Sequence, residues 1–584
     1  MLFGQKLPAP LESVLERLLV LDRFNQLYEQ VRRGPGEHSF AGRFLEAMHV
    51  CPAVSEMDLR CVPKDGPVVA VANHPFGLME GALLAALLGA IRPDVKILAN
   101  RFLETLAEAR KYCIFVDPFG GDRAVRANLG GLKSAIAWLK QGGLLGVFPA
   151  GEVAHLDLRE RAVIDPEWNH NIARLIRLTG ATVLPIFFVG ANSALFQLLG
   201  FLHPRVRTAL LAHELLNKHN RTIELRIGKP IDPAKLLSIR DDVAMIRYLR
   251  QRTYLLQNRE APKPAPRFTA EPRTTGVLLD LLAAEVSGLG PDRMLVESEQ
   301  FQVLLGRAGE MPNVLKEIGR LREIAFRQVG EGSGKPVDLD SFDRYYWHLF
   351  VWNRAAHEVV SAYRLGPSDE IVPRMGDRGL YTRQLFDWKP SFLDRIHPAL
   401  ELGRSFVRLE YQKTFAPLLL LWRGIGQFLV RHPRYRVLFG PVSISADYTR
   451  TSRQLMVKFL NTYYQSSDLA PLVRARNPFR VEPSRQTHEL VNTTVWDIEE
   501  LSTLIADIEI DRKGVPVLLR QYLKLGGELV AFNVDPNFAN ALDGLIVVDL
   551  HKTDVRVLAR YMGAEGAAAF LKQPKSRDEL HFAT

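Results

Sequence analysis

The chain has few cysteines and no long apolar run, and both shortages limit what it can be. Its 584 residues contain three cysteines, Cys51, Cys61 and Cys113, which lie far apart and show no paired spacing. This excludes a disulfide scaffold and leaves no readable zinc or redox motif, and it fits a reducing compartment. No stretch of about 18 uncharged apolar residues is present, so the sequence predicts no membrane-spanning helix.

The N-terminal segment and the charge balance indicate location and partners. Pro8, Pro10, Glu12 and Glu16 stand where a signal peptide needs an unbroken apolar core, so we expect a cytoplasmic protein. Lys plus Arg number 75 against 65 for Asp plus Glu, a net charge of +10. That excess suits a partner of negative charge, either an anionic lipid surface or an acidic carrier protein. Zinc-finger spacing and glycine-aromatic RNA-binding runs are both missing, so we expect no nucleic-acid partner.

A proline-dense segment divides the chain. Residues 258–273 (NREAPKPAPRFTAEPR) contain four prolines, a density that no packed element tolerates. We therefore assign residues 1–260 to one domain, 261–273 to a linker and 274–584 to a second domain. In the first, short apolar runs alternate with helical stretches, which predicts an α/β sheet covered by helices. In the second, a helical pattern over 314–328 precedes a hairpin pattern at 345–352 and 358–365, which predicts α+β.

A histidine and an acid flank a turn in the first domain. His74 follows the apolar run VVAVAN, and Glu80 comes six residues later, in NHPFGLME. Pro75 and Gly77 force a turn between them, and across that turn the carboxylate can orient the imidazole and raise its basicity. Such a pair is a general base for a hydroxyl group. The alternative is that the segment is only a capped strand-to-helix turn.

Three further blocks accompany this motif: CIFVDPFGG at 113–121, LLGVFPAGE at 144–152 and TVLPIFFVGANS at 182–193. In order and spacing the four blocks resemble the glycerolipid acyltransferase family. Over about residues 60–235 they resemble one branch of it, which holds lyso-ornithine-lipid acyltransferases and proteins labelled as hemolysins. The resemblance implies that His74 takes the proton from an acceptor hydroxyl, supported by Glu80, and that backbone N–H groups near Gly77 stabilise the oxyanion. It also implies a substrate-binding set, Asn73, Gly77, Pro149, Gly151, Glu152 and Pro185.

Two departures from the family pattern bear on the acceptor. The family's acid lies five residues after the histidine, where this chain has Met79. In phospholipid-making members the third block reads FPEGTR, whereas residues 148–153 here read FPAGEV. Without that arginine the site lacks a bidentate phosphate ligand. An acylated amino acid is therefore favoured over lysophosphatidic acid as the acceptor.

The second domain carries another resemblance. Residues 321–366 and the segment ALELGRSFVR (399–408) are similar to acyl-homoserine lactone synthases and ornithine N-acyltransferases, which share a GNAT-like fold. The resemblance covers about residues 295–460 and rests on Arg322, Phe326, Asp340, Asp343, Arg364, Glu401 and Arg404. It implies that Glu401 contacts the reacting amine and that Arg322, Asp343, Arg364 and Arg404 bind substrate. The alternative is that these charged residues form solvated surface pairs.

Together the two halves resemble the bifunctional ornithine lipid synthases. The resemblance implies that the second domain N-acylates ornithine with a 3-hydroxyacyl chain and that the first then esterifies that hydroxyl. Glycine, glutamine or another amino acid remains open as the acceptor. Two other functions also stay open: a lysophospholipid (1-acylglycerol-phosphate) acyltransferase with an accessory GNAT-like domain, and a non-catalytic lipid-binding, carrier-binding or hemolysin-like protein.

The sequence also indicates the acyl donor and the cellular location. The phosphate-cradling loop of coenzyme-A-using GNAT proteins is not evident, since residues 423–428 (RGIGQF) fit it poorly, so we expect acyl carrier protein as the donor, with acyl-CoA as the alternative. Basic residues at 401–436 and 196–226 suit an acidic carrier or the inner face of the cell membrane, unless they are solvated faces. Apolar helix 416–430 is either core or a bilayer contact. We expect no metal and no bound cofactor.

Overall fold

The structure, a computed structural model, describes residues 21–33, 39–116, 122–158, 160–202, 204–259, 276–414, 416–481 and 497–573. It divides into two compact units, Met1–Glu260 and Ala261–Thr584. Residues 261–273, assigned above to a linker, lie outside the described part of the chain.

The first unit contains a seven-stranded sheet in the order β1-β9-β8-β2-β5-β3-β4, with parallel neighbours except for the antiparallel pair β8–β9. A separate two-stranded sheet pairs β6 with β7. The strands are β1 (Cys51–Ala53), β2 (Val68–Ala72), β3 (Val95–Asn100), β4 (Cys113–Val116), β5 (Leu144–Val147), β6 (His155–Asp157), β7 (Ala162–Ile164), β8 (Thr182–Phe188) and β9 (Thr222–Ile227). The helices are α1 (Leu21–Arg33), α2 (Phe40–Ala47), α3 (Glu56–Leu59), α4 (Leu78–Gly89), α5 (Ala109–Tyr112), α6 (Asp122–Lys140), α7 (Asn171–Thr179), α8 (Ala194–Leu202), α9 (Pro204–Leu216), α10 (Pro233–Ser238) and α11 (Asp242–Leu255).

Strand β2 divides the core of this unit into two layers. Val69 and Val71 pack into a cluster with residues of α6, α7 and α11, whereas Val68 and Ala70 pack into another with residues of α4. Successive side chains of a strand point to opposite faces, so an apolar residue at every position means that both faces are covered. The short apolar runs of the sequence therefore form central strands, and the unit has the predicted α/β class.

The second unit contains an eight-stranded sheet in the order β10-β11-β12-β13-β15-β16-β19-β18 and a two-stranded sheet of β14 and β17. The strands are β10 (Met294–Glu297), β11 (Phe301–Gly306), β12 (Trp347–Asn353), β13 (Glu358–Pro367), β14 (Phe386–Trp388), β15 (Ala399–Val407), β16 (Val437–Ile444), β17 (Val473–Ala475), β18 (Glu528–Asp535) and β19 (Ala541–Asp549). The helices are α12 (Gly276–Gly288), α13 (Pro312–Gln328), α14 (Ser368–Met375), α15 (Pro390–Ile396), α16 (Ala416–Arg431), α17 (Arg450–Tyr463), α18 (Ile498–Ile508), α19 (Val517–Lys524), α20 (Val555–Met562) and α21 (Ala564–Leu571).

All neighbours in the larger sheet are antiparallel except β15 and β16. These two run parallel and pair at only three positions, from Ala399 opposite Val437 to Glu401 opposite Phe439. Both strands continue beyond this point without pairing with each other, so they separate after Glu401. The hairpin of β12 and β13 and helix α13 lie where the sequence predicts them, and the mixture of helices with a mainly antiparallel sheet is α+β.

The apolar helix α16 belongs to the core of its own unit. Leu421, Trp422, Ile425 and Phe428 are each at most 3% exposed. Trp422 packs edge-on against Tyr522. The bilayer contact considered for this stripe is therefore wrong, because its large side chains are already buried. Across the described residues, no helix combines the length and the apolar character needed to cross a membrane.

Candidate functional site

His74 lies at the carboxyl edge of the first sheet. It follows β2, and Phe148 follows the neighbouring parallel strand β5, so the two residues reach the same edge. Their rings stack with centroids 4.4 Å apart and an interplanar angle of 23°. The His74 side chain retains 16% exposure. Its Nε2 atom has no hydrogen-bond partner among the described residues and is the nitrogen left for a substrate.

Glu80 meets the imidazole across the predicted turn. As the third residue of α4 it accepts hydrogen bonds at Oε1 from the backbone N–H groups of Phe76 (2.5 Å) and Gly77 (3.0 Å). The same oxygen lies 3.4 Å from His74 Nδ1, and Glu80 is completely buried. Burial lowers the pKa of His74, but the charge and hydrogen bond of Glu80 together with the charge of Asp165 outweigh this and leave the pKa above its usual value. A base of raised pKa suits proton abstraction near neutral pH.

Gly77 and Asn73, also in the first motif, form hydrogen bonds within the protein and do not present free groups to a substrate. The N–H of Gly77 is taken by Glu80, so it does not serve as the expected oxyanion donor. Gly77 has a φ of +101°, which favours glycine at the start of α4. The side chain of Asn73, expected to bind substrate, exchanges two hydrogen bonds with the backbone of Phe188 (2.7 and 3.0 Å). Asn73 thus joins the ends of β2 and β8.

The remaining predicted residues of this half surround the same edge. Gly151 and Glu152 are exposed in the turn after β5, and Pro149 is buried there. The turn is tied to the motif because Ala154 donates its N–H to the carbonyl of His74 (2.8 Å). Pro185 lies in β8 opposite Val71 of β2 and is buried within the sheet.

Asp165 belongs to this site, and the sequence motifs do not include it. Its Oδ1 accepts the backbone N–H of His74 (3.1 Å), and its Oδ2 accepts the indole N–H of Trp168 (2.9 Å). Its negative charge adds to the effect of Glu80 on the pKa of His74. The two residues lie 91 positions apart, so no local pattern indicates their contact.

In the second unit, three of the predicted residues form one buried cluster. Asp343 pairs with Arg322 (3.0 Å) and Arg364 (3.2 Å), and Arg364 also pairs with Asp340 (2.7 Å). Arg322 and Arg364 are each 1% exposed, so the alternative of solvated surface pairs is wrong. Burial raises the pKa of Asp343, but the two guanidinium groups outweigh it and hold that pKa well below its usual range.

Both carboxylate oxygens of Glu401 accept hydrogen bonds within the protein. It accepts hydrogen bonds from the Tyr346 hydroxyl and from the backbone N–H groups of Tyr381 (3.0 Å) and Thr382 (2.6 Å). Its residual exposure is 1%. The geometry therefore assigns Glu401 to positioning the segment at Tyr381, and it gives no support to the expected contact with the amine.

Arg404 adjoins the cluster through Asp338, which also pairs with Arg322 (2.7 Å), and is otherwise held mainly by aromatic rings. Its guanidinium carbon is 5.1 Å from the ring centroid of Tyr381 and 4.5 Å from that of Phe538. Its Nη1 is 3.8 Å from Asp338 Oδ2, and its buried Nε has no hydrogen-bond partner among the described residues. Phe326, also part of the resemblance, packs edge-on against Phe538.

The basic stretch at 401–436 is partly structural. Arg431 donates to the carbonyls of Asp292 and Met294 (both 2.7 Å), and Arg434 pairs with Asp369 (2.8 Å). Arg423, by contrast, is exposed and makes no ion pair or hydrogen bond with a described residue. Within the described ranges, no group of three or more His, Cys, Asp or Glu side chains is placed to hold a metal ion.

Two family matches coincide with these two sites. Residues 44–261 match the family described as "Acyltransferase", and residues 321–422 match the family described as "Acetyltransferase (GNAT) domain". Among solved structures, the 1-acyl-sn-glycerophosphate (LPA) acyltransferase of Thermotoga maritima aligns over 43% of this chain and 97% of its own, with 18% identity. Its TM-score of 0.26 is too low to support a shared fold.

Curated relatives carry names for two kinds of acyl transfer. The chain is similar to a protein named glycine N(alpha)-acyltransferase in Phocaeicola vulgatus (35% identity, 39% of this chain, 73% of that protein) and to one in Bacteroides thetaiotaomicron (34%, 44% and 79%). It is also similar to a lyso-glycine lipid O-acyltransferase of Phocaeicola vulgatus (27%, 38% and 80%). The chain therefore belongs to the family of bacterial acyltransferases that contains the two glycine N-acyltransferases, and it is an enzyme that transfers acyl groups.

Proposed function

We propose that this protein makes phosphate-free amino-acid lipids in two steps, N-acylation in the second unit and O-acylation in the first. One observation carries the proposal: a single chain holds both the His74–Glu80 pair and the buried cluster of Arg322, Asp343 and Arg364. The named relatives support it, since one kind acylates an amine and the other a lyso-lipid hydroxyl by name.

In the second unit, the amine of an amino acid attacks the thioester of a 3-hydroxyacyl donor. The separation of β15 from β16 after Glu401 leaves one side of β15 without a strand partner, and we assign the acyl donor to this gap. The product is an amide that keeps its 3-hydroxyl group.

In the first unit, that hydroxyl becomes the acceptor. His74 Nε2 takes its proton, Glu80 and Asp165 stabilise the resulting imidazolium, and the oxygen attacks the carbonyl carbon of a second acyl thioester. The C–S bond then breaks, and the imidazolium returns its proton to the leaving thiolate. The order of the two steps is chemically forced, because the first step delivers the hydroxyl that the second consumes.

The amino acid is ornithine or glycine. The sequence resemblance supports ornithine, and the names of the relatives support glycine. The donor in this proposal is acyl carrier protein, and the enzyme works on the inner face of the cell membrane, where a lipid product of this kind is released. A lysophospholipid acyltransferase is less well supported, because Ala150, Glu152 and Val153 stand where the phosphate-binding block has glutamate, threonine and arginine.

The test is lipid extraction from a bacterial host that lacks amino-acid lipids, with and without expression of the protein. We expect new phosphate-free lipids by mass spectrometry, with ornithine or glycine as the head group. Isotopic labelling with each amino acid identifies which one is used. New phosphate-containing lipids without any amino-acid lipid would contradict the proposal and support the lysophospholipid activity.

A further inference from the structure

A buried carboxylate in the second unit has no hydrogen-bond donor. Asp543 lies in β19, opposite Ser443 of β16 and Asn533 of β18. It is 5% exposed, and its side chain accepts no hydrogen bond from any described residue. An unpaired buried carboxylate is costly. A cationic or hydrogen-bonding ligand would offset that cost.

Two more carboxylates lie beside Asp543 on the same face of the sheet. Glu331, in the loop after α13, accepts a hydrogen bond from the Ser443 hydroxyl (2.9 Å). Asp535 lies two residues beyond Asn533 on β18, and alternate residues of a strand share a face. Burial raises the pKa of Asp543 well above its usual range, and the charges of Asp535 and Glu331 raise it further, whereas Arg404 lowers it. Burial likewise raises the pKa of Glu331 to about 7.

Unpartnered donors lie next to these acids. The amide Nδ2 of Asn533 and the Nε of Arg404 are both buried without hydrogen-bond partners among the described residues. Asn533 is directly opposite Asp543, and Arg404 is close enough to lower the pKa of Asp543. The charged or titratable groups that face Asp543 are thus Asp535 from β18, Glu331 from the loop after α13, Arg404 from β15 and Tyr381 from the turn held by Glu401.

An acceptor of one particular chemistry matches this arrangement. A carboxylate without a donor complements an ammonium group, and a guanidinium and an amide without acceptors complement a carboxylate. A free amino acid carries both groups on its α-carbon. Glu401 does not offer this complement, because its two oxygens already accept three hydrogen bonds.

We propose that Asp543, flanked by Glu331 and Asp535, binds the α-ammonium group of the amino acid acceptor and takes its proton, while Arg404 binds the acceptor's carboxylate. This assignment rests on the proposed N-acylation in the second unit. It adds a proton acceptor to that reaction, at a position outside the sequence resemblance.

The step balances as follows. One N–H proton of the ammonium passes to the carboxylate of Asp543, and the freed lone pair attacks the thioester carbonyl carbon. The new C–N bond forms, and the tetrahedral intermediate collapses with cleavage of the C–S bond. A second nitrogen proton passes to the leaving thiolate. The products are an amide, a thiol and a protonated Asp543, which returns its proton to water.

The test uses the full-length Asp543→Asn variant, which keeps the shape of the side chain but removes its charge and basicity. N-acylation is assayed with glycine and with ornithine against a 3-hydroxyacyl thioester, and O-acylation of a supplied lyso-lipid is assayed in parallel. We expect kcat for N-acylation to fall at least 100-fold and O-acylation to stay within 2-fold. Wild-type N-acylation should rise with pH as the carboxyl deprotonates, and this rise should be lost in the variant.

A matched control is Glu528→Gln on β18, since Glu528 is half-exposed and, among the described residues, its one ion pair is with Lys552 (3.8 Å). It should leave both activities unchanged. Arg404→Lys should raise KM for the amino acid more than it lowers kcat.

N-acylation within 3-fold of wild type in Asp543→Asn, with an unchanged pH profile, would overturn the inference while leaving the proposed function intact. Dependence of N-acylation on a divalent cation that EDTA removes would also overturn it. If the wild type acylates neither amino acid, the proposed function itself fails.

Discussion

The imidazole of His74 stacks on the ring of Phe148, with centroids 4.4 Å apart. The two residues follow parallel neighbouring strands, β2 and β5, and belong to different sequence motifs. Phe148 covers one face of the imidazole, and Glu80 lies at its Nδ1 atom. Together they hold the ring in one orientation, with Nε2 left for the acceptor hydroxyl.

Replacing His74 by alanine should abolish O-acylation and leave N-acylation unchanged. The base for the hydroxyl lies in the first unit, whereas the base proposed for the amine, Asp543, lies in the second, and a positioned base contributes about 10²–10⁴-fold to a proton-transfer step. Cells that carry His74→Ala should accumulate the monoacyl lyso-lipid, measured by mass spectrometry of lipid extracts. The exposed His219→Ala serves as the control. Normal diacyl product from His74→Ala would contradict the role of His74.

The pH dependence of O-acylation should report the raised pKa of His74. The imidazole acts as a base only when neutral, so activity should rise as the pH rises through that pKa, which lies above the usual pKa of a histidine. In Glu80→Gln the carboxylate that raises the pKa is gone while burial still lowers it, so the rise should shift to lower pH and the maximal rate should fall. Rates measured between pH 5 and 9 test this, with exposed Glu160→Gln as the control. An unshifted profile would mean that Glu80 only caps the helix.

Glu401→Gln should act on stability as well as on N-acylation. Glutamine presents an N–H group to one of the three donors that Glu401 accepts, so at least one buried hydrogen bond is lost, at a cost of about 1–3 kcal/mol. Denaturant unfolding of the variant measures this loss. The control is Glu297→Gln, which removes a half-exposed pair with Arg354 and should cost less than about 1 kcal/mol. An unchanged stability with a large loss of kcat would restore the catalytic role for Glu401.

The identity of the acyl donor can be tested at Arg423. Its side chain is exposed and makes no ion pair or hydrogen bond with a described residue that charge reversal would break. If acyl carrier protein docks near it, Arg423→Glu should raise KM for the acyl carrier protein, and the wild-type rate should fall as salt screens the encounter. Turnover of a short acyl-CoA should change little. The variant Arg374→Glu, at an exposed position of α14 whose side chain makes no ion pair or hydrogen bond with a described residue, controls for charge alone. Equal losses with both donors would argue against carrier docking at Arg423.

The two units should fold separately. Among the described residues, two buried clusters take all their members from Met1–Glu260 and two others take all theirs from Ala261–Thr584. Residues 1–260 and 261–584 expressed apart should each give a cooperative thermal transition, and each should keep its own acyl transfer. Aggregation of both pieces would mean that neither core suffices without the other half.

The sequence by itself determined the secondary structure and the first pair of site residues. Runs such as that of β2 and the period of α13 are local patterns, and local patterns predict local structure. The contact of Glu80 with His74 could also be predicted, because only a turn of five residues separates them. The motif resemblances placed Arg322, Asp343 and Arg364 in one site for the same reason, since each lies in a short segment of recognisable pattern.

Only the tertiary structure decided the partners that are distant in the chain. Asp165 reaches His74 because the chain after β5 returns to the edge of the sheet, and Glu331, Asp535 and Asp543 meet because β16, β18 and β19 are neighbours. The buried surroundings then determined the chemistry. Both oxygens of Glu401 accept hydrogen bonds, whereas Asp543 accepts no hydrogen bond from a described residue. Periodicity and spacing describe one segment at a time, whereas the pKa of a buried group depends on charges that the fold brings from several segments.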